Sequence, residues 1–462
     1  MLVDSQVQPA DLPSFEEICG LRCPTLRFIP HRAKPSFARV LSSVLFDIIL
    51  QNSVTAWKKL FMLPKCVLPT AKRAGRHNHP VSIELLCDLW SKGHLSQLWQ
   101  RAMSRGSSPR SLVDRKKDSG QLQVSHAVSL SQDGLFGKAC NVLVSCGIAP
   151  NSDETWNLLV SKHPKSDCPS VPGLPQNDVS LPSSLNLMAI LRSFPKLSAA
   201  GPSGLRIQHL IDAAEITLQT PILHLLRKVI NILASGKAPV DVSIFLAGGN
   251  LTALQKSKPG CPLDVRPIAV GEALRRLVGK CLCSMLKSKA AEFFDPLQRG
   301  VACAAGAEKI AHGLRGCMDE NWQAEGFTVL KIDLVNAFNL VSRHALLSEC
   351  STHFPELLPW VSWCYSRHPV LWHTLGNLTS QSGVQQGDPL GPLLFSLVLN
   401  VVVKAIATHP ECSDLSYHVW YLDDGVLAGP SLHVRKALSL LIELGPPLGL
   451  HVNIKKFQQT QS

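Results

Sequence analysis

His418-Val419-Trp420-Tyr421-Leu422-Asp423-Asp424-Gly425-Val426-Leu427-Ala428 is an apolar run that breaks into two adjacent acids and a glycine, then resumes. The residues before the acids are β-prone, Asp-Asp-Gly is turn-prone, and the last three can return as a second strand. The stretch predicts a hairpin with acids at its tip. Two carboxylates side by side on a greasy hairpin repel each other, and burying them unpaired is costly. A divalent cation removes that cost, and two cations held by shared carboxylates serve in-line phosphoryl transfer. Taken alone, the same residues also suit an ordinary Asp-Gly hairpin. What decides between these readings is the ordered set upstream.

Phe327 to Leu334 predicts a strand with Leu330, Ile332 and Leu334 on one face and Val329, Lys331 and Asp333 on the other. Asp333 thus ends a strand facing away from the Leu/Ile side. Between the two acidic sites lies a Gly/Pro loop that opens a long apolar helix, Gln385-Gln386-Gly387-Asp388-Pro389-Leu390-Gly391-Pro392. Strand-Asp, Gly/Pro loop with helix, then apolar hairpin with paired Asp is a sequence of parts suited to metal-dependent phosphoryl transfer.

With those residues in that order, the chain resembles a reverse transcriptase (RNA-directed DNA polymerase) of the type carried by non-LTR retrotransposons and group II introns. Asp333 with Ala337-Phe338 matches the first palm motif of that family, Gln386 to Pro392 the second, and Tyr421-Leu422-Asp423-Asp424 the third. Leu448-Gly449-Leu450 with Asn453 and Lys455-Lys456 resembles the fourth. Upstream, Ala200-Gly201-Pro202-Ser203-Gly204 and Val265-Arg266-Pro267-Ile268 resemble fingers motifs, so the likeness covers about residues 195–456. It implies that Asp333 and Asp423 hold two Mg²⁺ ions (Mn²⁺ as substitute), with Asp424 in support. Phe338 would press on the sugar 2′ position and select deoxynucleotides. Gln386 and Gly387 would line the nascent base pair. Arg266, with Lys256 or Lys258, would clamp the triphosphate, and Lys456 would neutralise or protonate pyrophosphate. The implied partners are an RNA template, a DNA primer and deoxynucleoside triphosphates. Two departures stand out. Asn336 and Asn339 lie near positions where many relatives carry Lys and Asp. The chain also stops 38 residues after Asp424, which leaves no room for a full thumb.

The totals agree with a polyanion partner. Lys and Arg number 46 against 34 Asp and Glu, a formal +12, and residues 1–120 hold 18 of the former against nine of the latter. A basic flank on a near-neutral body points to nucleic acid before membrane. Fifteen scattered cysteines without a secretory leader point to a reducing, intracellular compartment, the nucleus for a eukaryotic element. Cys19/Cys23 and Cys281/Cys283 have half-site spacing for zinc, but neither has a second pair at finger spacing. The longest apolar stretch, Pro392 to Ala407, carries Asn400 and Lys404 and predicts no membrane span.

The expected fold class is α+β, a right-hand polymerase palm and fingers preceded by a helical N-terminal region. The expected divisions are a basic, mainly helical region at 1–149 and a Pro-rich linker at 150–184. Fingers at 185–325 and a palm at 326–462, with the thumb missing or truncated, complete the chain. Phe37 to Ile49 has i, i+3, i+4 apolar spacing, as do residues 83–99, and a helical patch is expected over Gly134 to Cys146. Residues 104–120 are polar and basic and predict an exposed loop. Leu274, Leu277, Val278, Cys281, Leu282 and Met285 form a helical stripe. Arg275, Arg276, Lys280 and Lys287 lie mostly off it, either on phosphate or in solvent. Beside synthesis of DNA on RNA stands a rival of another class, a lapsed relic that only binds nucleic acid.

Overall fold

The computed structural model describes residues 12–70, 82–106, 119–132, 134, 136–175, 178–257, 261–321, 323–454 and 458–461. Eight strands are present among them: β1 (Gly249–Gln255), β2 (Val265–Gly271), β3 (Phe327–Ile332), β4 (Val370–Trp372), β5 (Asn377–Thr379), β6 (Tyr417–Tyr421), β7 (Asp424–Pro430) and β8 (Gln458–Gln461). They make two four-stranded sheets, ordered β2-β1-β4-β5 and β6-β7-β3-β8. The fold is α+β, with a palm and fingers preceded by a helical N-terminal region.

In the second sheet every pairing is antiparallel, and β3 lies between β7 and β8. Leu330 and Ile332 point into the core while Lys331 is exposed, as period-two alternation requires. β3 ends one residue before Asp333, and its last residue, Ile332, pairs with Gly425. That register alone brings Asp333 beside the tip of the β6–β7 hairpin. In the first sheet, β2 buries Val265, Pro267 and Ala269 and turns Arg266 outward.

The sheets are held by helices. Gly391–Thr408 has Pro392 in its first turn, where the missing N–H costs nothing, and packs against the helices Arg343–His353 and Ser431–Leu444. This helix is long and apolar enough to cross a membrane, yet 67% of it is buried inside the protein. Asn400 is buried among its apolar neighbours, so it serves as a core helix.

The N-terminal helices are part of the same core. Lys34–Gln51 buries Phe37, Leu41, Val44, Leu45 and Ile48 on one face, the expected stripe. Phe15 stacks on Phe245 with centroids 4.9 Å apart. The 83–99 periodicity is two helices, Ile83–Ser91 and Leu95–Gly106, separated where Gly93 adopts φ +82°. Phe136–Val144 supplies the expected patch, whereas most of the basic loop, 107–118, lies outside the described residues. Segment 150–184 contains the helix Asp153–Ser161, whose Leu159 is fully buried.

The cationic face at 275–287 is not uniformly in solvent. Arg275 is buried and paired with Asp388 at 2.9 Å, and Arg276 is buried and donates to the Ala199 carbonyl at 2.7 Å. Lys280 donates to the Ser193 carbonyl at 2.9 Å and lies over the Phe194 ring. Lys287 is exposed. Two of the four charges are core residues because fixed acceptors meet them there.

Candidate active site

Asp333, Asp423 and Asp424 share one electrostatic neighbourhood. Burial pushes the Asp423 carboxyl up, and Asp424 and Asp333 push it further, while Arg266 pulls it back. The clustering of these four side chains, from β2, the end of β3 and the hairpin, is the central feature of the site. Asp333 is held by Asn453, whose side-chain amide donates to Oδ2 at 2.7 Å and whose backbone N–H donates to the Asp333 carbonyl at 2.8 Å. Among the described residues no group of three or more Asp, Glu, His or Cys is drawn tightly enough to ligate one ion. The acids act on one another electrostatically without closing into a cage. Their donor set, hard carboxylate oxygens whose charges repel, is of the kind a hard divalent cation takes.

The hairpin turn sits one residue earlier than Asp-Asp-Gly predicts. Tyr421 pairs with Asp424, so the turn is Leu422-Asp423 and Asp424 already belongs to β7. Leu422 takes φ +54°, a conformation a leucine adopts at a cost. Gly425 is required for another reason than turning. A Cβ there would meet the Trp420 indole at 2.7 Å, and that indole is fully buried. Its N–H is 3.0 Å from His418 Nε2, and burial lowers the His418 pKa to about 4, leaving the ring a neutral acceptor.

Sequence reasoning missed Gln298. Its Oε1 accepts from the N–H of Leu422 at 2.8 Å and of Gly300 at 2.9 Å, and its Nε2 donates to the Leu422 carbonyl at 3.2 Å. The same segment runs along β6: Trp420 N–H donates to the Leu297 carbonyl and Arg299 N–H to the Trp420 carbonyl. A buried glutamine satisfied by a turn 124 residues away leaves no periodic signal in the sequence.

The second motif docks on the first sheet. Ala269 N–H donates to the Gln386 carbonyl at 3.1 Å, and Gly387 has φ +110° with a built Cβ only 2.8 Å from the Ala269 carbonyl. The missing side chain of Gly387 therefore admits the β2 backbone of this same chain. Asp388 turns inward, accepting from Leu390 N–H at 3.0 Å and pairing with Arg275, whose guanidinium also meets the Tyr365 hydroxyl at 2.9 Å. Arg343 also lies over the Tyr365 ring, and its donors end on Ser380, Ser382 and Gly383. Gln385 ties the loop to the Ala247 carbonyl at 2.6 Å.

Phe338 is the second residue of the short helix Ala337–Leu340 and stacks on Phe395, with centroids 4.8 Å apart. Asn336 precedes it at φ +47°, a conformation asparagine tolerates, and donates to the Lys162 carbonyl at 2.9 Å. Lys256 lies 3.9 Å from Asp264, which pairs more closely with Lys162 at 2.6 Å. Arg266 remains exposed near the acids, whereas Lys258 and Lys456 lie outside the described residues.

The class follows from comparison with known proteins: the chain carries a nucleotidyltransferase domain. Residues 255–462, a little under half of the chain, match the family model of reverse transcriptase (RNA-dependent DNA polymerase). The match takes in the motifs at Arg266, Asp333, Gln386 and Asp423, while the likeness at Ala200 to Gly204 falls before it. Among solved structures, a chain described as "Structure of apo telomerase from Candida Tropicalis truncated from C-terminal domain" is 12% identical, with a TM-score of 0.35. The alignment covers 47% of the present chain and 50% of that one, so the chain spans about half the length of this neighbour.

Proposed function

We propose that the protein synthesises DNA on an RNA template as part of a retrotransposon-like element of the non-LTR or group II type, in a reducing intracellular compartment. The observation that carries this reading is the mutual repulsion of Asp333, Asp424 and the half-buried Asp423 inside a reverse transcriptase domain. Such repulsion costs stability without a counter-charge, and is retained where cations bind.

Two divalent cations, when bound, would lower the pKa of the attacking hydroxyl and offset the negative charge on the departing pyrophosphate. Asp333 and Asp423 would hold them, with Asp424 alongside. Asn453 fixes the Asp333 carboxylate in place, and Gln298 fixes the hairpin that carries Asp423. Arg266, exposed beside the acids, would bind the triphosphate by charge-assisted hydrogen bonds. Lys256 would add to this only by leaving Asp264; Lys258 and Lys456 are proposed helpers of the same kind. Phe338 would bar a ribose 2′-hydroxyl, its ring backed by Phe395. Gln386 and Gly387 would border the nascent base pair from their seat on β2.

The test is primer extension on an RNA template with Mg²⁺, comparing deoxynucleotides with ribonucleotides. Extension with deoxynucleotides only is expected. RNA binding without extension, on any template, would support the rival reading of a lapsed, binding-only protein.

A further inference from the structure

A groove of about 470 Å³ opens between the helices Ser119–Gln132 and Phe136–Val144 on one side and the segment at 197–206 on the other. Its charged lining is Arg27, Lys138 and Arg206, and no acid lines it. Arg206 gives one N–H to the Ser198 carbonyl at 3.3 Å, but its Nε is buried without a partner. Arg276 stands close to Arg206, donates to the Ala199 carbonyl, and also has a buried, unpartnered Nε. None of these four cations forms an ion pair among the described residues. Glu272 acts electrostatically on Arg276, yet both its oxygens accept from Ser203 at 2.6 Å.

Lys138 donates to the Lys196 carbonyl, but clustered like charges with the Arg206 and Arg276 Nε–H groups unspent favour an anion here. Burial and the neighbouring Arg27 both lower the Arg206 pKa, which marks the same deficit. Several donors from different directions, and more than one positive charge, match the multiple oxygens of a phosphate better than a single carboxylate. Leu130, Val142 and Leu197 add an apolar wall on which a sugar can rest.

We propose that this groove is a phosphate site, and that it seats a backbone phosphate of a nucleic-acid strand outside the acidic site. The strand assignment rests on the polymerase reading above. The phosphate chemistry does not.

The test uses the full chain and the double variant Arg27→Gln/Lys138→Gln, with Lys165→Gln/Lys228→Gln as a control of equal charge. Binding of a short single-stranded RNA is followed by anisotropy in EDTA across a salt series. Thermal melting is followed with inorganic phosphate against chloride at equal ionic strength. The groove variant is expected to flatten the slope of log K against log salt by about 0.7 per phosphate lost. It should also lose the stabilisation that phosphate gives the wild type, while the control keeps both. Phosphate stabilisation confined to the wild type, with an unchanged RNA slope, supports a free-phosphate site and overturns the strand assignment. Wild-type behaviour of the groove variant in both arms overturns the proposal altogether. Because both arms are free of divalent metal, a wild type that fails to extend primers sinks the polymerase reading and leaves this result standing.

Discussion

Gln298 grips Leu422 on both sides of its backbone, accepting from the N–H at 2.8 Å and donating to the carbonyl at 3.2 Å. Leu422 is the turn residue with φ +54°, and Asp423 follows it directly. A conformation that costs a leucine about 1–2 kcal/mol is thereby held from outside the hairpin.

Gln298→Ala is expected to slow primer extension by roughly ten- to a hundredfold, the cost of leaving buried donors and acceptors unpaired. Adding Leu422→Gly should restore part of the rate, because glycine takes positive φ freely. A merely structural glutamine would show lower stability and no rescue.

Asp423 carries opposite consequences for stability and for chemistry. Its folded-state pKa is raised, so between the ordinary carboxylate value and that higher value the folded protein keeps a proton the unfolded chain has lost. Stability therefore falls as pH rises through that interval. Asp423→Asn should stabilise the metal-free protein by about 1 kcal/mol at neutral pH, a gain that vanishes below the carboxylate range. The same change should lower extension on the order of a thousandfold. Denaturant titration at two pH values, beside the extension assay, checks both. Equal stability of the two proteins at neutral pH would remove the repulsion on which the metal assignment rests.

Phe338→Ala should raise ribonucleotide incorporation relative to deoxynucleotide, read as a ratio of kcat/KM values. Losing the stack on Phe395 should also cost about 0.5–1.5 kcal/mol beyond the lost burial. An unchanged sugar ratio with lowered stability would make Phe338 a packing residue only.

Acid should weaken the fold through two histidines. His418 and His209 are buried and have pKa values lowered to about 4, so from pH 6.5 downward the unfolded chain takes up protons that the folded protein refuses. Stability is lost as pH falls through that window, by up to about 1.4 kcal/mol per pH unit for each group. His418→Gln should flatten the dependence in a melting series between pH 7 and 4. A slope unaltered by the change would mean that His418 titrates normally.

The buried pair Arg275 and Asp388 gives a sharper stability test. Asp388→Ala leaves an uncompensated guanidinium and should cost about 3–5 kcal/mol. The double variant Arg275→Met/Asp388→Leu should cost less than Asp388→Ala alone. A near-zero cost for the single variant would place the pair in solvent.

The acids were legible because carboxylates are rare at the end of an apolar run, and two such sites in order, with a Gly/Pro loop and helix between them, are rarer still. The helix stripes at Phe37 to Ile48 and Leu274 to Leu282 were legible from periodicity. The turn was not: Asp-Gly predicts the bend on Asp424, but the bulk of Trp420 needs Gly425 in the strand and displaces the bend to Leu422. Arg275 and Arg276 read as a surface because charge predicts exposure, while the Asp388 and Ala199 acceptors that bury them are remote in sequence. Gln298 was silent for the same reason.

Thr25 donates to the Gly204 carbonyl at 2.7 Å, and a side chain on Gly204 would strike Thr25. Lys65 donates to the Ile18 and Leu21 carbonyls, and the buried Glu272 acts on it electrostatically. The seam between the first helices and the loop at 201–204 is thus made of core contacts rather than of a tether. The domain that begins at Gln255 is for this reason not a portable cassette. Excised there and grafted onto another protein, it would carry Glu272 and Arg276 into water with their partners Ser203 and Ala199 left behind. A fragment cut at Gln255 is therefore expected to be less stable than one that keeps the N-terminal helices.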